Sequence, residues 1–97
     1  MIKPESKQSV EEIAKLLNQQ PSLKLHVVGH TDNVGALPHN MTLSKQRAEA
    51  VVNALVNDHH IAAARLIANG VGPLAPVASN AAEDGRAKNR RVELVGQ

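Results

Sequence analysis

The 97-residue chain is long enough for one compact domain and too short for two, so we expect a single domain over residues 1–97. Apolar residues make up 42% and charged residues 21%, which is typical of a globular protein, and a net charge of +2 does not indicate a polyanionic partner. The chain has no Cys, Phe, Tyr or Trp, which excludes thiol chemistry and removes the aromatic surfaces on which proteins stack single-stranded nucleic acid.

Two amphipathic helices and a strand between them are predicted in the first half of the chain. Apolar residues recur at helical spacing over Ser6–Gln20, and Leu23–Gly29 alternates as a strand. A long loop, rich in Gly, Asn, Asp, Pro and Thr, is expected over His30–Thr42. The second helix is predicted near Ser44–Asn57, with Ser44 as its N-cap.

Two more strands and a short helix are predicted in the second half. A turn at Ala62–Arg65 leads to a strand over Leu66–Gly72, and Arg91–Val95 alternates as the last strand. Asn80 is placed to cap a helix over Ala81–Asn89. The order of elements predicts an α/β (α+β) two-layer sandwich, a small mixed sheet with helices on one or both faces. No stretch approaches the roughly 20 apolar residues that cross a bilayer.

Several motifs follow one another at compatible spacing. They are GHTDNVG at Gly29–Gly35, then Asn40, LSKQRAEAV at Leu43–Val51, Arg65-Leu66, Gly70–Gly72 and GRAKNRRVEL at Gly85–Leu94. Together they resemble the OmpA-like C-terminal peptidoglycan-binding domain, which is also found in peptidoglycan-associated lipoproteins and in MotB-type flagellar stator proteins. Each motif alone is weak, but the ordered set is specific and covers about Ile2 to Val95.

The resemblance implies an anchor that captures the diaminopimelate residue of peptidoglycan stem peptides without covalent chemistry. Asp32 and Arg47 occupy the positions of the two residues that clamp this ligand in the family. Thr31, Asn40 and Arg90 fall where further residues of the pocket are expected. The resemblance implies no catalytic residue, no cofactor and no metal.

The residue types suit this ligand. Diaminopimelate ends in an ammonium and a carboxylate on one carbon, so Asp32 can accept from the ammonium and Arg47 can bind the carboxylate through its planar guanidinium. With Arg47 in the predicted first turn of the second helix, both would lie at the carboxyl edge of the sheet, where free helix N–H groups add donors. Lysine-type stem peptides lack the extra carboxylate, which predicts selectivity for diaminopimelate.

Each of these residues also has a structural interpretation. Asp32 could form an Asx-turn within its loop, Arg47 could be a solvated helix residue, and Asn40 could serve the loop before the helix. A hydrolase built from Ser44, His30 and Asp32 is not expected, because the chain has no nucleophile elbow of the G-x-S-x-G kind.

The remaining charged and histidine residues favour structural roles. The basic cluster at Arg86–Arg91 has too few charges, and no aromatic residues, to indicate nucleic-acid binding. We expect Arg86 and Arg91 to stabilise the fold and Arg90 to face the ligand. His26 and His30 share one strand face about 13 Å apart, at about 3.3 Å per residue, so they cannot chelate one metal. We expect His30 to orient the loop by a hydrogen bond and the other histidines to face solvent.

The beginning of the chain departs from the family pattern. Family members open with an aromatic-containing strand, whereas this chain opens at Met1–Ser6, so we expect the first strand to be missing or to belong to sequence outside this chain. The sheet edge would then be exposed, which predicts some pairing of two copies as a homodimer. The resemblance also implies loss of an upstream loop that helps to line the family's pocket, which predicts weaker binding.

Two functions therefore stay open, and a third, an accessory of a wall-processing enzyme, would need a catalytic partner that this chain does not show. One is periplasmic anchoring of an outer-membrane or envelope protein to the cell wall, with the membrane reached only through a parent segment outside this chain. The other is a structural or oligomerisation module whose wall-binding site is lost or weakened.

Overall fold

The computed structural model describes the backbone of residues 4–97 and the side chains from Val10 onwards. Three helices and a mixed three-stranded sheet form the predicted two-layer sandwich, in the predicted order. The elements are α1 (Pro4–Gln19), β1 (Leu25–Gly29), α2 (Leu37–His59), a 3₁₀ turn (Ala63–Arg65), β2 (Leu66–Gly70), α3 (Glu83–Asn89) and β3 (Val92–Gly96). None of the described helices is long and apolar enough to cross a membrane.

Strand β1 lies in the centre of the sheet, parallel to β2 and antiparallel to β3. Leu25 and Val27 of β1 are buried on the face that the helices cover. The register aligns His26 with Ile67 and Val95 on the opposite face, where Ile67 and Val95 are exposed. The sheet is therefore covered by helices on one side, and β3 forms one of its edges.

The core between helices and sheet is entirely aliphatic. Without aromatic side chains, its volume comes from small and medium residues that must interlock closely. The buried apolar residues are Val10, Ala14, Leu17, Leu25, Val27, Ala48, Val51, Leu55, Ile61 and Leu66.

Helix α2 approaches the ends of β1 and β2 at two glycines. A Cβ on Gly29 would lie 1.9 Å from the Ser44 carbonyl oxygen, and one on Gly70 would lie 2.5 Å from the Ser44 hydroxyl. That buried hydroxyl donates to the Met41 carbonyl and accepts from the Gly72 N–H, both at 2.9 Å. The helix is thereby fixed against the edge of the sheet from which the site loops emerge.

The predicted start of the second helix was wrong, because α2 begins at Leu37 and not after Ser44. Leu37 is exposed and the polar Asn40 is buried, so the first turn lacks an amphipathic apolar pattern. Pro38 is compatible with a helix start, where its missing N–H leaves no hydrogen bond unmade. Ser44 is therefore a buried mid-helix residue, and the loop shortens from the predicted thirteen residues to residues 30–36.

The other boundaries differ less. Helix α3 begins at Glu83 without a side-chain cap, so the prediction that Asn80 caps it was wrong. Asn80 instead accepts a hydrogen bond from the Asn89 side chain at 2.8 Å. The strands are shifted or shortened by one or two residues from their predicted ends, although Val71 N–H still donates to the carbonyl of Gly29 beyond the end of β2.

Candidate functional site

The loop of residues 30–36 leaves β1 and is fixed to two neighbouring segments. The backbone N–H of His30 donates to the carbonyl of Arg91 at 2.8 Å, and the backbone N–H of Thr31 donates to the carbonyl of Gly72 at 2.9 Å. The Thr31 hydroxyl donates to the Asp32 carbonyl at 2.8 Å. Thr31 and Asp32 are both buried, so the structure places them firmly at the carboxyl end of β1.

The carboxylate of Asp32 accepts hydrogen bonds on both oxygens. Its Oδ1 accepts from the Val34 N–H at 3.0 Å, and its Oδ2 accepts from Arg90 Nη1 at 2.7 Å. The Val34 N–H first, and the Arg90 guanidinium second, hold the pKa of Asp32 below its usual value. Asp32 is therefore an ionised, oriented acceptor, and the Asx-turn offered as its alternative role is part of that orientation.

Arg90 bridges two carboxylates. Besides Asp32 it contacts Glu83, with Nη2 2.5 Å from Glu83 Oε1. The hydrogen bonds that Arg90 donates, to Glu83 first and to Asp32 second, raise the pKa of Arg90. The hydrogen bond that Glu83 accepts from Arg90 is in turn the largest cause of the lowered pKa of Glu83. Arg90 thus lies in the predicted site, but it is already paired with Asp32.

Glu83 was missed by the sequence analysis. Its side chain is 62% exposed, and it pairs with both Arg86 and Arg90. A carboxylate seven residues before an arginine lies two helical turns away on the same face, so the spacing carried a signal.

Asn40 supports the loop from α2. It is 3% exposed, and its side-chain Nδ2 donates to the Val34 carbonyl at 3.0 Å. Val34 therefore receives a bond from α2 on its carbonyl while its N–H holds Asp32. The loop role that the sequence left open for Asn40 is the one that the structure displays.

Arg47 lies further along α2 than predicted, ten residues beyond Leu37 rather than in the first turn. The free N–H groups of the helix start are therefore distant from it. Arg47 is half-buried, and no salt bridge joins it to another residue within residues 10–97. It follows Asn40 by two turns, about 10 Å along the helix axis, and helical side chains lean back towards the N-terminus. No hydrogen bond or salt bridge joins Arg47 to Asp32 within residues 10–97, where Asp32 pairs with Val34 and Arg90 instead.

The buried ring of His30 contradicts its predicted role. Neither ring nitrogen has a hydrogen-bond partner among the described residues, and Nε2 lies 3.6 Å from Glu93 Oε2. Burial first, and repulsion from Arg91 second, lower the pKa of His30, against the opposing effect of Glu93. The His30 backbone, and not its ring, fixes the loop. His26 is not simply solvent-facing either, because its Nδ1 lies 3.1 Å from Asn69 Nδ2.

Arg86 and Arg91 bind loop carbonyls, in agreement with their predicted structural role. Arg86 donates to the carbonyl of Asn80 at 3.0 Å, and Arg91 donates to that of Ala75 at 2.9 Å. Both arginines therefore fasten the segment of residues 71–82 to α3 and β3.

Both the order of the sequence motifs and the fold agree with those of a known family. Residues 1–90 match the model of the OmpA family. The chain belongs to the OmpA family. It is similar to Probable lipoprotein YiaD of Escherichia coli (strain K12), with 39% identity over 93 residues, 96% of this chain and 42% of that protein. It is also similar to Outer membrane porin F of Pseudomonas fluorescens, with 44% identity over 93 residues, 96% of this chain and 28% of the porin.

A third relative has a name that states what it binds. Peptidoglycan-binding protein ArfA of Mycobacterium bovis is 39% identical over 92 residues, which cover 95% of this chain and 28% of that protein. The chain thus spans less than half the length of the curated relatives it matches.

Solved structures confirm the predicted OmpA-like fold. The peptidoglycan-associated lipoprotein from Burkholderia pseudomallei superposes with a TM-score of 0.89 and 31% identity, covering 99% of this chain and 80% of that one. The cell wall anchor of the T6SS from Pseudomonas aeruginosa gives a TM-score of 0.80 and 35% identity, covering 96% and 66%. Both structures therefore share the overall fold of this chain.

Proposed function

We propose that this OmpA-family chain binds peptidoglycan non-covalently and so anchors a larger outer-membrane or envelope protein to the cell wall from the periplasm. Relatives named as peptidoglycan-binding, peptidoglycan-associated or a cell wall anchor support this proposal. The larger protein enters the proposal because the matched relatives are two or more times longer than the aligned region.

The ionised, oriented carboxylate of Asp32 is the observation that carries the proposal for the ligand. A carboxylate has about four acceptor positions, and Val34 and Arg90 use two of them. The remaining positions suit the ammonium of diaminopimelate. Arg47, which has no salt bridge within residues 10–97, is the cation we assign to the carboxylate on the same carbon.

The other site residues support this clamp in different ways. Arg90 is shared between two carboxylates and is less available to a ligand carboxylate than Arg47. We therefore assign Arg90 to the orientation of Asp32, and Thr31 and Asn40 to the position of its loop. Two charge-assisted contacts correspond to micromolar to millimolar affinity, about −8 to −4 kcal/mol, so firm attachment needs many copies on one polymer.

A titration followed by backbone amide shifts tests the clamp. The labelled protein would receive the stem tetrapeptide that contains meso-diaminopimelate, and the variants would be Asp32→Asn and Arg47→Gln. Saturable shifts at residues 31–40 and around Arg47 are expected in the wild type and weakened in both variants. Asp58→Asn and Lys45→Gln change exposed charges of the same types on α2 and serve as matched controls.

Either of two results would reject the clamp. In the first, the folded wild type shows no saturable shifts. In the second, Asp32→Asn and Arg47→Gln bind as well as the two control variants.

An oligomerisation module is the second candidate function, favoured by the exposed edge strand β3. Its residues Leu94 and Val95 are 36% and 48% exposed, and β3 pairs only with β1 in the described sheet. Two copies could pair through this edge as a homodimer. Sedimentation at rising concentration tests it: dimerisation that Leu94→Lys abolishes supports the module, and a monomer at all concentrations rejects it.

A further inference from the structure

The ring of His30 is a buried titratable group that the proposed clamp does not use. The residue is 4% exposed, and neither ring nitrogen has a hydrogen-bond partner among the described residues. Buried polar groups without a partner are uncommon in native proteins and call for a physical explanation. This one belongs to the residue two positions before Asp32, at the beginning of the site loop.

The backbone around the ring determines where Asp32 lies. The His30 N–H donates to the carbonyl of Arg91 at 2.8 Å, and the Thr31 N–H donates to the carbonyl of Gly72 at 2.9 Å. From this fixed segment the Asp32 carboxylate reaches Arg90 Nη1 at 2.7 Å. A displacement of His30 therefore displaces the segment that presents Asp32 to a ligand.

The surroundings of the ring favour its neutral form. Among the described residues, the charged groups that act on it are Arg91, which precedes β3, and Glu93 on β3. Glu93 Oε2 lies 3.6 Å from the ring Nε2, but Arg91 binds the same carboxylate through Oε1 at 2.5 Å. Burial and repulsion from Arg91 outweigh Glu93 and lower the pKa of His30. A protonated ring would thus be a poorly solvated cation beside an arginine, and it would be more stable where water reaches it.

We infer that the backbone contacts of the site loop hold only while the ring of His30 is neutral, so that acid weakens ligand binding. This inference rests on the proposed function. A protonated ring gains solvation by leaving the interior, and its departure breaks the contacts of His30 and Thr31 that place Asp32. A ligand that needs Asp32 in place therefore selects the neutral ring. By reciprocity, the bound ligand makes His30 harder to protonate.

Calorimetric titration of the diaminopimelate tetrapeptide at pH 7.0 and pH 5.0 tests this inference. The wild type should lose affinity by about threefold or more between the two, because release is linked to the uptake of one proton. Asp32, Glu83 and Glu93 have pKa values below their usual ones, so they stay ionised and do not cause this loss.

Two histidine variants identify the group that takes up the proton. His30→Asn should bind the tetrapeptide equally well at both pH values. His39→Asn removes an exposed histidine near the start of α2 and should lose affinity with acid as the wild type does. Far-UV circular dichroism at each pH establishes that the proteins are folded.

The ring signals of His30 in the wild type give a second measurement that needs no variant. Their NMR titration should reach its midpoint at a lower pH when the tetrapeptide is bound than when it is absent. An unchanged midpoint overturns the inference, even if His30→Asn does not fold.

The other outcomes separate the inference from the clamp. Equal wild-type affinity at both pH values overturns the inference and leaves the clamp standing. A folded His30→Asn that loses affinity with acid as strongly as the wild type does the same, because a purely structural ring gives that result. A folded wild type without saturable binding at pH 7.0 overturns the proposed function and this inference with it.

Discussion

The two sides of Asp32 are built on different physical principles. Towards β2 and α2 lies a packed side, where backbone meets backbone; its residues are Gly29, Ser44, Gly70 and Gly72. Towards α3 and β3 lies an ionic side, where partly exposed side chains pair; its residues are Glu83, Arg90, Arg91 and Glu93.

The packed side mainly determines the stability of the protein, whereas the ionic side mainly determines ligand recognition. Close packing fixes the position of the site loop, and disturbing it costs free energy of unfolding because the interior has little room to adjust. Exposed ion pairs contribute only about 0–1 kcal/mol each to stability, yet here they orient the carboxylate of Asp32. Changes on the packed side should therefore lower stability, and changes on the ionic side should lower ligand affinity.

The largest expected effect is that of Gly29→Ala. The added Cβ would lie 1.9 Å from the Ser44 carbonyl oxygen, which is backbone and cannot move without α2. Overpacking of this kind should lower the free energy of unfolding by about 3 kcal/mol or more. Urea unfolding measures it. The control is Gly96→Ala, where nothing lies within 4 Å of the new Cβ, and equal losses in both variants would refute the close approach.

The next effect is that of Ser44→Ala. It leaves the Gly72 N–H without its buried acceptor, which should cost about 1–3 kcal/mol. Ser22→Ala, an exposed serine after α1, provides the control. If the two alanine variants unfold at the same urea concentration, the Ser44 hydroxyl does not stabilise the site edge.

An intermediate effect concerns pH and His30. Its pKa is lowered in the folded protein, so below its ordinary value of 6.5 the unfolded chain binds more protons. The stabilisation is therefore complete above about pH 6.5 and is lost as the pH falls through the folded pKa. Asp32 and Glu93 titrate below their usual acidic values and do not contribute in this window. Urea unfolding at pH 7.5 and 5.5 should show a smaller pH dependence in His30→Asn than in the wild type.

His39→Asn removes an exposed histidine and is the control for that comparison. It should keep the wild-type pH dependence. If His30→Asn and His39→Asn both kept the wild-type pH dependence of the free energy of unfolding, burial of His30 would not affect stability as predicted.

The smallest effects on stability are expected on the ionic side. Arg90→Gln should lower affinity for the diaminopimelate tetrapeptide, because Asp32 loses the donor on its Oδ2 and its pKa rises towards the usual value. Glu83→Gln should lower that affinity less, since it acts only through Arg90. Asp84→Asn, on the same helix, is the control. Melting curves measure the stability of each variant, and calorimetry on the same preparation measures its affinity for the tetrapeptide. A large loss of stability without loss of affinity would contradict the assignment of the ionic side to ligand binding.

The sequence predicted the parts of the molecule that follow from local pattern. Periodicity identified the helices and strands, whereas Asp32 became a candidate through the resemblance of the GHTDNVG motif after β1 to the OmpA-like family. The sequence pattern placed the start of α2 wrongly, because the buried residue in the first turn of that helix is the polar Asn40 and not an apolar residue.

Contacts distant along the chain could not be predicted in the same way. The pairing of Arg90 with Asp32 joins residues that are 58 positions apart, and it exists only because β1 and β3 are neighbours. The Ser44 hydroxyl was assigned to a helix cap, whereas packing of α2 against the glycines gives it a partner at Gly72. Such side-chain partners depend on tertiary packing, which no single segment encodes.

The assignment of Arg47 to the extra carboxylate is tested most directly by ligand discrimination. Two stem tetrapeptides that differ only in diaminopimelate or lysine would be titrated into the wild type, Arg47→Gln and the control Lys45→Gln. The wild type and the control should bind the diaminopimelate peptide about tenfold or more tightly than the lysine peptide, since a charge-assisted hydrogen bond contributes about 1.5–3 kcal/mol. In Arg47→Gln the two affinities should become nearly equal. An undiminished preference in Arg47→Gln, or no preference in the wild type, would contradict the clamp.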